Sequence, residues 1–352
     1  MLYRFSFWFV VILLIFIRFY FNQSTFKNGD FIRITSKIYS EPIVFERQQY
    51  LKLQGLKVYL PKYPEVSYGD IVAVTGTVNG GKLKNPKLEK ILEDKNWIYS
   101  FREKIIKFYK NTLPEPYSSL VAGIVLGSKQ MPQEFWEKLK ATGTAHVVVA
   151  SGTNVTMVAT FLISSLTFYF KRRTAVFMSI AGIFFYVILS GFDAPIVRAA
   201  IMGSIVFLGQ EKGRVVNTWR ILIYSAVLML LIKPDWINDL GFLLSFVATM
   251  SLIIFQKRIN DKLMYIPTFL REGLSTSLAA QIGVFPIIFV TFGQFNILSP
   301  IINALILWTI PYIMIFGSVS GVVGQIVPIF GRLLLLTIYP LLWYFEKILS
   351  IF

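Results

Sequence analysis

The sequence predicts a polytopic α-helical membrane protein with broken or re-entrant helices, carrying one small all-β barrel domain near its N-terminus. Three observations predict it. Of 352 residues, 55% are hydrophobic and only 15% charged, where soluble domains average about 25% charged; the mean hydropathy is +0.61. The apolar residues gather in long uncharged runs, and about 20 such residues suffice to cross the roughly 30 Å hydrocarbon core. Between residues 25 and 95 the pattern changes to short alternating runs separated by turn residues.

Taken in order, Phe5 to Phe21 is apolar except for Arg18, with Arg4 before it. No small-residue cleavage site follows, so residues 1–24 read as an uncleaved anchor. In 25–95, Phe31 to Thr35 alternates, as does Lys52 to Leu60, and Ile71 to Val78 follows the turn Tyr68-Gly69-Asp70. Several short strands in about 70 residues match the size of a five-stranded OB-like barrel. In 96–114, Trp97, Phe101, Ile105 and Phe108 recur at helical spacing, with Arg102, Lys104, Lys107 and Lys110 largely off that stripe. This is a basic amphipathic helix for the bilayer interface, with packing on the β-domain as the alternative.

Residues 115–352 read as a multi-span membrane domain. The candidate spans are 143–170, 174–192, 195–210, 221–232, 240–255, 274–292, 297–330 and 333–345, with 117–127 as a partial one. The first and seventh are too long for one crossing. The first holds Ala150-Ser151-Gly152-Thr153-Asn154, the seventh Gly317, Gly321 and Gly324. Such interruptions predict broken helices whose backbone is covered by protein or lines a wet cavity. Basic loops at 171–173, 211–214 and 256–262 alternate with poorly basic ones at 191–194, 234–239 and 293–296. The positive-inside rule puts the basic set in the cytoplasm and the β-domain outside.

The chain has no cysteine and a single histidine, His146. Disulfides, thiolate metal sites and multi-histidine zinc sites are thereby excluded. No P-loop or dinucleotide fingerprint is present, and no cofactor or metal is implied. The net charge of +16 fits basic loops on anionic lipid, and also an anionic substrate.

Polar residues inside the membrane region are the candidate site. Arg198 lies five residues after Asp193, across Pro195, so an ion pair between them is one expectation and contact with an anionic substrate another. His146, Ser151 and Asn154 share one run and can line a pore, break a helix, or hydrogen-bond between helices. A Ser151–His146–Asp193 hydrolase lacks the nucleophile-elbow pattern. Gln281, Gln294 and Asn303 read as pore lining or as bonds between helices. On the β-domain, Lys52, Lys57, Tyr59, Lys82 and Lys84 offer cations and a stacking ring, or simply a solvated basic face.

Five stretches in register resemble the ComEC family, the DNA-uptake channels of bacterial natural competence. Thr142-Gly143-Thr144-Ala145-His146 through Ser151-Gly152 looks like that family's TG(S/T)xH…SG signature. Gly191 to Ala199 is similar to its GFxxxxxRA segment, and Leu240 to Phe246 to its GFQLSF segment. Phe292-Gly293-Gln294-Phe295 with Ser299-Pro300 and Asn303 resembles its FGQFS…N stretch. The β-domain fits through Tyr63-Pro64, Tyr68-Gly69-Asp70, Lys82-Leu83 and Asn85-Pro86-Lys87. The resemblance implies passage of single-stranded DNA across the bacterial cytoplasmic membrane, with the OB-like domain facing outward. It implies a DNA receptor, an ATP-driven helicase or translocase and a nuclease acting in trans. It implies no catalytic residue here. Two departures stand out: position 154 is Asn where many relatives carry a second His, and the sequence, ending at Phe352, lacks the metallo-β-lactamase-like domain of longer relatives. A transporter for another anionic solute or lipid is the alternative.

Overall fold

A computed structural model describes residues 2–22, 26–45, 47–92, 97–149, 151–293 and 296–352. The N-terminal helix α1 (Leu2–Asn22) lies against a helix and a turn far along the chain, as described below. Six strands follow: β1 (Phe31–Lys37), β2 (Ile43–Val44), β3 (Gln48–Leu53), β4 (Leu56–Pro61), β5 (Ile71–Asn79) and β6 (Lys82–Leu92). They form one sheet in the order β1-β5-β6-β4-β3-β2. All neighbours are antiparallel except β4 and β6, which run parallel.

Alternation explains this core. In β4, Leu56, Val58 and Leu60 are buried while Lys57, Tyr59 and Pro61 point out, the period of two that a half-buried strand requires. With Leu51, Leu53, Val72, Val74 and Leu83 they form an apolar cluster separate from that of the helices. Buried Gln49 is fully engaged: its amide donates to the carbonyls of Pro61 and Pro64, and its oxygen accepts from Val66 N. The expected closed barrel is corrected: the sheet stays open. The strand at one edge, β2, has only two residues. It starts right after Pro42, which has no N–H to donate, and the chain before it leaves the sheet so that Glu41 can reach the helices.

The helices are α2 (Trp97–Thr112), α3 (Tyr117–Leu126), α4 (Gln133–Ala141), α5 (Ala145–Val148), α6 (Gly152–Tyr169), α7 (Arg172–Leu189), α8 (Ala194–Glu211) and α9 (Thr218–Ile232). After a 3-10 turn at Pro234–Asn238 come α10 (Leu240–Lys262), α11 (Thr268–Phe292), α12 (Ser299–Leu307), α13 (Ile310–Ile326), α14 (Pro328–Thr337) and α15 (Tyr339–Ile351). Helix α1 rests on α9 and the 3-10 turn. Among the described residues, four stretches are long and apolar enough to cross a membrane: 145–169, 172–189, 240–262 and 270–291. The pairs α12–α13 and α14–α15, bent by 47° and 43°, raise this to six if each pair is one span. The protein is a multi-pass membrane protein.

The expected break in the first long run is present. Helix α5 ends at Val148, Val149 is extended, and α6 starts at Gly152. The long run 297–330 also breaks, at Trp308 and Thr309 and again at Val327, three residues after Gly324, where α13 gives way to α14. The α12–α13 pair bends at the first of these, and the α14–α15 pair bends at Ile338. Pro311 and Pro340 sit just beyond these points. A proline ring clashes with the carbonyl four residues back and removes one helical donor, which places the bend there. Gly317, Gly321 and Gly324 lie inside continuous α13, where they admit a neighbour. A Cβ on Gly321 would meet Tyr109, and one on Gly324 the ring of Phe108. Helix α2 therefore seats on α13, and its Tyr109 hydroxyl donates to the Gly317 carbonyl at 2.8 Å. The apolar side of α2 is covered by helices, while Lys104, Lys107 and Lys110 remain exposed.

Candidate membrane path

Helix α3 organises the site. Every residue after Tyr117 is buried, and the helix stops inside the protein at Gly127, which takes the left-handed cap conformation at φ 70°. The last carbonyls of a helix have no partner within it. Here three consecutive ones accept from three other helices. Asn154 of α6 donates to Ile124 O at 2.7 Å, Tyr186 of α7 to Val125 O at 3.1 Å, and Arg102 of α2 to Leu126 O at 3.2 Å.

The break before α6 adjoins this cap. Ser151 precedes the helix in extended conformation, and its hydroxyl donates to Asn154 Oδ1 at 3.2 Å. Asn154 is fully buried. Asn154 thus ties α6 to α3. Ser151 turns to Asn154 and not to His146, whose side chain on α5 is exposed.

Arg198 of α8 faces the same break. Its Nη1 donates to Thr249 Oγ1 of α10, and its guanidinium lies 5.8 Å from the Phe246 ring centre. Its Nε is buried without a partner, and its Nη2 comes within 3.3 Å of where a Cβ on Gly152 would stand. A guanidinium cation is thus set beside the positive end of the α6 dipole. An anion entering there would be stabilised by both.

The expected Asp193–Arg198 pair is corrected. Asp193 pairs with Lys129 at 2.7 Å, both being partly exposed. Five residues of helix turn two side chains to different faces; three or four would bring them together. Asn303, fully buried on α12, donates to Ser277 of α11 and to Ser299, and Gly143 packs so closely on Ser299 that no Cβ would fit. This network joins the Thr142–Thr144 loop to α11 and α12. Gln281 is half-buried on α11. Gln294 lies outside the described residues.

The five sheet residues fall in one patch. Lys52 pairs across the ladder with Lys57, and Lys57 with Lys82, so three lysines form a row across β3, β4 and β6. Lys84 and the exposed Tyr59 lie two residues further along β6 and β4. Tyr59 contacts the Tyr50 ring at 5.2 Å. Lys52 also reaches Asp239 at 3.8 Å. Like charges side by side on neighbouring strands destabilise a sheet, unless an anion lies over them.

One cluster was missed in the sequence. Glu41, in the segment before β2, accepts from Arg102 Nη2 at 2.8 Å, Ser128 Oγ at 2.9 Å and Lys129 N at 3.0 Å. Arg102 also donates through Nε to Leu189 O at the end of α7. Both side chains of the pair are almost completely buried, at 4% and 3% exposure. Beside them Tyr68 donates to Ile188 O at 2.9 Å. Burial pushes the Tyr68 phenol above its ordinary range, Tyr99 adds to this, and Arg102 opposes it. Gly69, at φ +99°, lets this turn lie flat on the Tyr99 ring, where a Cβ would collide. A signal existed: Arg102 stands three, four and seven residues before Ile105, Ile106 and Tyr109, on the buried side of α2.

The polar break, the α8 arginine and the α12 network all lie within residues 124–352, which match the family model described as Competence protein. Among curated proteins, the chain is 28% identical over 244 residues to ComE operon protein 3 of Bacillus subtilis (strain 168), covering 67% of this chain and 30% of that protein. It is 25% identical over 230 residues to the uncharacterized protein YcaI of Escherichia coli (strain K12), covering 61% of this chain and 30% of that one. The matches thus span about 30% of the length of these relatives. No solved structure matches significantly. With a family match running from the α3 cap to Phe352, over more than half of the sequence, and holding the α6 break, Arg198 and the α12 network, the chain belongs to the Competence protein family.

Proposed function

We propose that this protein is a channel in the bacterial cytoplasmic membrane that passes single-stranded DNA into the cytoplasm during natural transformation. The observation that carries the reading is Arg198, a cation beside the α6 N-terminus inside a family-matched membrane domain. Phosphates need such a site where the bilayer offers no water. His146, Ser151, Asp193, Arg198 and Gln281 would border the path, with Asn154 and Asn303 holding its walls. Gln294 would belong to the same lining. The row Lys52–Lys57–Lys82, with Lys84 and Tyr59, would receive the strand outside, since basic tracks with stacking rings hold single strands without regard to sequence. Loop charge supports an outward sheet. A DNA receptor, an ATP-driven helicase or translocase and a nuclease would act in trans, and no residue is assigned a catalytic role.

The test follows labelled DNA in a competent host. Deleting the gene abolishes cytoplasmic uptake while surface binding persists, and Arg198→Gln at normal membrane levels reproduces the defect. Unchanged uptake on deletion would overturn the reading. The alternative cargo, another anionic solute or a lipid, gains support if the protein shows no salt-sensitive affinity for single strands, because phosphate contacts weaken steeply with salt.

A further inference from the structure

We infer that the Glu41–Arg102 cluster is a coupling latch through which the outer sheet controls access to the break before α6. Among the described residues, the sheet region meets the helices through the exposed Lys52–Asp239 pair, the Tyr68–Ile188 bond and, buried and charged, the Glu41–Arg102 joint. Glu41 leaves the strand region and accepts four hydrogen bonds there, two from Arg102 and the others from Ser128 and the Lys129 backbone, in the loop after α3. Its partner Arg102 holds the ends of two helices at once, through Leu126 O of α3 and Leu189 O of α7. The neighbouring Lys129 side chain then clamps Asp193, the residue that begins α8. One helical turn further along α8 is Arg198, packed against Gly152. Polar contacts thus run from Glu41 through the 128–129 loop to Asp193, and the first turns of helix α8 carry the connection on to Arg198 beside the α6 break.

The joint is two-state by its chemistry. A carboxylate and a guanidinium this deeply buried are stable only together, because either alone stays desolvated without its counter-charge. When the sheet shifts, the pair breaks as a unit, and Arg102 lets go of both helix ends. The α8 helix loses its clamp through the same loop, and the contact over Gly152 opens. The latch concerns access to the break and does not depend on what passes through it.

The test uses the cysteine-free sequence, in which one introduced thiol is unambiguous. Ser151→Cys is placed in the full chain, reconstituted in vesicles, and its labelling rate by a membrane-impermeant maleimide is measured. Glu41→Gln keeps the shape of the side chain and removes its charge; it is expected to raise the rate about fivefold or more, a change of about 1 kcal/mol in the opening equilibrium. Lys129→Met, on a partly exposed residue, is expected to raise it less, and reads the same chain of contacts should Glu41→Gln fail to accumulate. Arg33→Gln, which breaks only the exposed Arg33–Glu89 pair on the sheet, is expected to leave it unchanged. Wild-type rates in the Glu41 and Lys129 variants would overturn the latch, as would an equal rise with Arg33→Gln. A DNA-uptake defect plays no part in this readout, so failure of the channel reading and failure of the latch are separable.

Discussion

The sheet and the helical domain place the same residue types on opposite sides. In the sheet, leucines and valines face inward and lysines outward, with Leu51, Val58 and Val72 at 2% exposure or less. In the helices, Ser225, Ser251, Asn154 and Asn303 are buried while Phe168, Phe161 and Leu333 are more than half exposed. The sheet is held together by removal of apolar surface from water. Lipid removes that driving force, so the helices rely on close contact and on hydrogen bonds between them. The Glu41–Arg102 pair stands on the border and obeys neither rule, being a charge buried from both solvents.

Five expectations sharpen or break this contrast, beginning with the largest effect. Arg102→Met strands Glu41 in the interior and removes the partner of two helix-end carbonyls; it should cost about 3–5 kcal/mol, seen as a large fall in the thermal midpoint of the purified protein. The double variant Glu41→Leu, Arg102→Met should recover much of that loss, because a buried ion pair is often replaceable by apolar packing. Leu51→Ala should cost about 2–5 kcal/mol, with faster hydrogen exchange confined to the strands. Equal acceleration in α6 and α7 would show that the two regions do not unfold separately. Tyr68 gives a pH signature. Its phenol keeps its proton in the folded protein at pH values where the unfolded chain has lost it, so the folded state binds more protons above about pH 10. Stability should fall there by at most about 1.4 kcal/mol per pH unit, and Tyr68→Phe should flatten the slope. Asn154→Leu exchanges a buried interhelical hydrogen bond for apolar volume. It should cost about 1–2 kcal/mol, the scale of such bonds in membranes. A loss as large as that of Arg102→Met would mean that the α3 cap, and not the ion pair, dominates the interior.

Much of this was legible. The alternation in β4, the lysine positions of the sheet patch and the break before α6 follow from spacing alone, since each is a local property of a few neighbouring residues. The orientation of α2 was half legible: the apolar stripe was seen, but Arg102 on its buried side was counted as polar and therefore outward. Its partner Glu41 is 61 residues away in a segment without periodicity, and no local pattern joins them. The break expected in 297–330 is present at Val327, just past Gly324, whereas the bends at Trp308 and Ile338 precede Pro311 and Pro340, which had not been weighed. Within α13, Gly321 and Gly324 admit α2 and Gly317 admits Val121 and Val125 of α3 while the helix stays continuous, whereas Pro311 and Pro340 act on the turn before them. Asp193 was assigned to Arg198 by nearness in sequence, yet a spacing of five separates their faces and left Lys129 as the carboxylate's partner.

The cap on α3 has a consequence for biogenesis. Ten residues of helix extend roughly 15 Å, about half the hydrocarbon thickness. On emerging from the ribosome, α3 has no partners for the Ile124 and Val125 carbonyls, because Asn154 and Tyr186 have not yet been made. Bare carbonyls are not tolerated in lipid. Final placement of the α3 end is therefore expected to follow the synthesis of α6 and α7, a delay that crosslinking of nascent chains of increasing length would detect.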